Sequence, residues 1–216
     1  MTARGFRRLG FWTMAVLSVL IAVASYRYLL PGAPGAAPPV FANRFTHLGA
    51  LTLHAGLAAT ALILGPWQFL GRLRRNRPRF HRRLGTLYVC CCLIAAPAGM
   101  VLALGTTAGP LASAGFGLLA IVWLTVTANA WRLARRREFA AHQRWMMRSF
   151  ALTLAAVTLR LYLPISVVMG FTYAQAYPVI SFLAWVPNLI IIEIAIRLGA
   201  GAKTSLSLSE PLHNPG

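Results

Sequence analysis

Apolar runs of about 20 residues recur along almost the whole chain, and that recurrence leaves very few architectures open to it. An α-helix rises about 1.5 Å per residue, so roughly 20 residues cross the ~30 Å hydrocarbon core of a bilayer. Such runs cover residues 11–30, 44–69, 84–108, 111–133, 149–170 and 179–199. Of the 216 residues, 58% are hydrophobic and the mean hydropathy is +0.65, which predicts an all-α fold: a polytopic transmembrane helical bundle of six spans. Lipid offers no partner for backbone N–H and C=O groups, so an apolar chain of this kind satisfies them within helices.

The basic residues orient the bundle. A formal charge of +18 would suggest nucleic acid in a soluble protein, yet the 21 Lys and Arg residues cluster between the apolar runs. Residues 71–83 hold seven arginines and residues 132–148 hold six. If these segments and both termini face the cytoplasm, 18 of the 21 basic residues lie on that side, so the spacing predicts an N-in, C-in protein of the bacterial cytoplasmic membrane. The expected partners are the bilayer and its anionic headgroups, not nucleic acid.

The chain divides into a first helix with an external linker (1–43), a core of spans two to five (44–170), a sixth span (171–199) and a Ser-rich cytoplasmic tail predicted to be disordered (200–216). The basic start of residues 1–10 also suits a signal peptide, but the following run is long enough to span and reads as an uncleaved helix. Four prolines in residues 31–43 exclude a helix there, and segment 171–178, without a basic residue, reads as an external loop.

Little classical catalytic chemistry is available. The only acidic residues are Glu138, Glu193 and Glu210, and there is no Asp, which excludes Asp-based triads and dyads. Cys90, Cys91 and Cys92 point about 100° apart on a helix, so they cannot hold one metal together and read as small apolar filler. No HExxH or CxxC is present, and no metal other than a haem iron is expected.

Polar residues inside the spans carry what functional signal there is. His47 and His54 lie seven residues apart, on one stripe of the second span and about 10 Å apart along its axis. His54 needs a polar partner, either a ligand or one of Arg160, Asn129, Asn188 and nearby threonines. Arg160, about 18 Å from the cytoplasmic end of the fifth span, must face the bundle interior or a wet cavity. Glu193 is within one turn of Arg197, and the alternative is a bridge to Arg160. His81 and His142 each follow an arginine-rich loop at the cytoplasmic start of a span, an echo that resembles a duplicated hairpin. As the only cross-helix pair at matched depth, they are candidate axial ligands for haem b; the alternative is that both face headgroups and water.

Taken together, His47 and His54, GPWQF at 65–69, HRRLGTLY at 81–88, HQRWMMRS at 142–149 and RLY at 160–162 resemble a family of bacterial membrane proteins known as domain of unknown function 2306. The resemblance covers roughly residues 44–165 and implies no settled activity. Histidines at helix starts are also similar, more distantly, to the cytochrome b561 and ferric-reductase group of haem-carrying four-helix bundles. Two histidines on one helix with no opposite number depart from that two-haem pattern. Two functions are therefore carried forward. One is a haem-b electron-transfer or quinone-linked protein using His81, His142, His54, His47 and Arg160. The other is a non-enzymatic transport or scaffold protein with a His/Arg/Glu polar seam.

Overall fold

The computed structural model describes residues 3–30 and 48–208. The expectations for His47, for the proline-rich linker 31–43 and for the tail beyond residue 208 fall outside the described residues; residues 200–208, predicted as part of the disordered tail, instead continue the last helix. Within them the chain is helical throughout, without strands. Six helical stretches are long and apolar enough to cross a membrane.

Helix α1 (Ala3–Ser25) ends in a 3₁₀ turn over Tyr26–Leu29. Next comes α2 (Leu48–Gln68), with Pro66 in its last turn. The first arginine-rich segment is not a plain loop. It forms a short helix, α3 (Gly71–Asn76), and then α4 (Pro78–Leu104), which starts six residues before the predicted span. Pro78 suits a first-turn position, where its missing N–H has no intrahelical partner anyway, and arginine is a good helix former. Gly105–Gly109 turns the chain into α5 (Pro110–Arg135); Gly109 has φ +92°, a conformation that needs glycine.

The fifth span also starts earlier than the apolar run suggests. It comprises α6 (Phe139–Thr153) and α7 (Ala155–Val168), which meet at Leu154. The Thr153 hydroxyl donates back to the Ser149 carbonyl at 3.0 Å, a contact that bends helices at such positions. The segment predicted as an external loop is largely helix α8 (Tyr173–Leu183). A Thr172–Gln175 capping box satisfies its first-turn donors. Helix α9 (Val186–Leu208) follows a break at Ala184–Trp185, with Pro187 in its first turn.

Helices α2, α4, α5 and α6 form a ring of sequential neighbours that closes between α2 and α6. This matches the core expected of spans two to five. Outside the ring, α1 lies on α2 and α7, α8 on α5 and α7, and α9 on α6. Small residues fill the ring interfaces, among them Ala59, Ala61, Cys91, Cys92, Ala95 and Ala96. Without a hydrophobic drive between helices in lipid, close backbone approach over such residues supplies the packing. Large apolar side chains such as Leu53, Leu87, Ile94, Leu118 and Ile191 are left on the outer surface, as a lipid-facing belt requires.

Candidate functional site

The ring encloses a cavity of about 270 Å³, lined by α2, α4, α5, α6, α7 and α8 and by the end of the first span. His54 is two turns from the start of α2 and Arg160 about two turns from the end of α7, so the cavity occupies the half of the bundle away from the arginine-rich segments. Alanine and leucine make most of its wall. Its polar groups are few: His54, Arg160, the Trp123 indole and the hydroxyls of Ser25, Thr106, Thr153, Tyr28, Tyr173 and Tyr177.

Local packing fixes the His54 ring. Its Nδ1 lies 2.9 Å from the Ala95 carbonyl, which can only accept, so Nδ1 carries the proton in this contact and Nε2 is the nitrogen left for a ligand. The ring lies against Gly99, where a Cβ would come within 2.9 Å of it. Trp123 meets it edge-on, with centroids 6.5 Å apart at 79°. The indole Nε1 donates to Thr153 Oγ1 at 3.1 Å, holding the Trp123 ring in that pose.

Arg160 faces the same space. Its Nη1 donates to the Ala156 carbonyl at 3.0 Å, and the Tyr28 hydroxyl is within hydrogen-bonding reach. Tyr173 and Tyr177 stack with centroids 4.8 Å apart, and Tyr177 also packs on Phe116. No carboxylate bridges Arg160 among the described residues, because Glu193 pairs with Arg148 instead, through Nε and, at 3.0 Å, through Nη2. The polar seam expected to combine His54, Arg160 and Glu193 is therefore split. His54 and Arg160 share a cavity, while Glu193 ties α9 to α6 near the opposite end of the bundle. The other candidate partners of His54 are also engaged elsewhere. Asn129 accepts from Arg132 at 2.6 Å, and Asn188 donates to Thr158 at 2.9 Å.

His81 on α4 and His142 on α6 do approach each other across the ring. His142 Nδ1 donates to the Ala130 carbonyl at 2.8 Å and leaves Nε2 available, an orientation that imidazole ligands to metals commonly use. His81 Nδ1 is buried with no hydrogen-bond partner. The cavity, however, is lined by His54 and by neither of these two. No group of three or more His, Cys, Asp or Glu side chains converges among the described residues.

Sequence reasoning missed the tyrosines and Trp123. At the end of the first span, Tyr26 bonds Thr60 at 3.0 Å and Tyr28 faces the cavity. Tyr173 and Tyr177 were hidden in the supposed loop. The Thr-x-x-Gln capping pattern ahead of an apolar run was the signal that would have made it a helix with both tyrosines on one face. Among known proteins, the family model described as predicted membrane protein (DUF2306) matches residues 51–196. No curated protein and no solved structure matches the chain.

Proposed function

The chain belongs to the DUF2306 family of predicted membrane proteins, and because that description names no ligand, we propose from the cavity that it is a quinone-linked protein of the bacterial cytoplasmic membrane. The observation that carries this is the convergence of His54 and Arg160 on one largely apolar cavity within the spans. A quinone head is apolar on both faces and presents two carbonyl acceptors on opposite edges. A guanidinium and tyrosine hydroxyls can donate to those carbonyls, the unprotonated His54 Nε2 can accept from a hydroxyl once the head is reduced to the quinol, and the Ala and Leu walls suit the faces. A cation with no carboxylate partner among the described residues, in a low-dielectric site, also favours a ligand that accepts hydrogen bonds and gains negative charge on reduction. The exposed arginines of α3 and of the α5–α6 connection rest against anionic headgroups in this reading.

The test is equilibrium binding of decylubiquinone to detergent-purified protein, read by quenching of Trp123 against a Trp123→Phe background. Saturable quenching should weaken by about tenfold or more in Arg160→Leu, the scale of a lost hydrogen bond to a charged group. Quenching that is absent, or equal in the two proteins, overturns the proposal. A b-type haem between His81 and His142 is a second reading, favoured by the free Nε2 of His142 and the unpartnered Nδ1 of His81. It predicts a Soret band and a reduced α band on dithionite addition, both lost in His142→Ala.

A further inference from the structure

One face of α4 carries His81, Gly85, Tyr88, Cys92, Ala95 and Gly99, a stripe about 27 Å long that runs from the arginine-rich end to the cavity. Several polar groups of the ring core meet this stripe. At its far end His54 donates to the Ala95 carbonyl and lies over Gly99. Midway, Tyr88 is fully buried, with its hydroxyl 2.8 Å from Thr153 Oγ1 and 3.0 Å from Ser149 Oγ. Ser149 Oγ is in turn 2.7 Å from Thr127 Oγ1. Thr153 lines the cavity, so this hydroxyl chain opens into it.

Nearer the arginines the pattern changes from satisfied to unsatisfied. The Gln68 side chain lies over Gly85, one turn from His81 and one turn from Tyr88. Among the described residues, Gln68 Nε2 and His81 Nδ1 are both buried with no hydrogen-bond partner. Two such atoms in one layer are what internal water satisfies. We propose that the α4 stripe is a proton path leading from the arginine-rich side, through water held by His81 and Gln68, to the Tyr88–Thr153 hydroxyl pair and so to the cavity, with Arg160 as the electrostatic barrier that stops protons passing out beyond it.

Each hydroxyl accepts one proton as it releases its own: Thr153 breaks its bond to the Ser149 carbonyl, turns its O–H to an acceptor in the cavity and takes the Tyr88 proton, so one proton enters at His81, one leaves at Thr153, and no group of the path changes charge over the cycle. Tyr88 is the link the path requires between the Gln68 layer, one turn away along α4, and Thr153. A fixed guanidinium at the far end repels protons as arginines do in water-selective pores. The column thus supplies the cavity from one side without short-circuiting the membrane. Its destination rests on the cavity reading; its conduction does not.

The experiment uses proteoliposomes loaded with pyranine, with a potassium diffusion potential imposed through valinomycin and no quinone present. Wild type should conduct little above empty vesicles. Arg160→Leu should raise proton flux by tenfold or more, and adding Tyr88→Phe to it should return the flux to the wild-type level. Should the Tyr88→Phe pair not give a monodisperse, helical protein, Gln68→Leu with Arg160→Leu replaces it, with the same loss expected. Flux in Arg160→Leu equal to wild type, or flux that persists in the double variants, overturns the path. Decylubiquinone binding to wild type is measured separately, so a failed cavity and a failed path give different results. One layer cannot hold both a haem and this water, so a haem spectrum dependent on His142 also overturns it.

Discussion

Gly99 sets the pose of His54. Helix α4 approaches α2 there without a side chain, and the imidazole fills the space. Gly99→Ala should displace the ring, weakening decylubiquinone binding by about tenfold and costing about 1–3 kcal/mol of stability, as overpacking of a fitted interior does. Gly49→Ala, on the same bundle but with nothing near its Cβ position, serves as the control and should change neither. Both are read by the quenching titration and by thermal unfolding in detergent. Individual polar residues were only partly legible beforehand. His54 and Arg160 stood out because charge inside an apolar run is costly. Tyr88, Thr127, Ser149 and Thr153 did not, since hydroxyls are common in spans and only the packing of α4, α5 and α6 shows that they form one network.

At the scale of elements, the number of spans was readable because length and hydropathy act locally. Their ends were not. Helices α4 and α6 extend into the arginine-rich segments, where hydropathy falls but helix propensity does not, so an apolar window underestimates both. The reverse occurred at α8, where a stretch without basic residues between two apolar runs read as an external loop although Thr172 and Gln175 complete a cap. Small-residue faces set which helices pair within the ring, and the packing of α9 on its outside decided the fate of Glu193. Sequence distance favoured Arg197 and shared burial favoured Arg160; the packing of α9 on α6 brought Arg148 to it instead. Arg148 is held further by stacking over Trp145, 5.0 Å from its centroid.

For the whole molecule, the charge distribution predicts orientation. A reporter active only outside the cytoplasm, joined after Gly109 in the α4–α5 turn, should be active, and the same reporter after Arg136 should be silent. The opposite pattern would reverse the bundle and move the cavity to the cytoplasmic half. In the predicted orientation the arginines anchor the protein in one monolayer, while the cavity behind Tyr28, Tyr173 and Tyr177 lies at the depth of the other. Those two monolayers need not share a composition. If the cavity takes a quinone, as proposed, the protein is held in place by the lipids of one leaflet and draws its ligand at the depth of the other, so its occupancy follows how much of that ligand crosses between them, not the total amount the membrane holds.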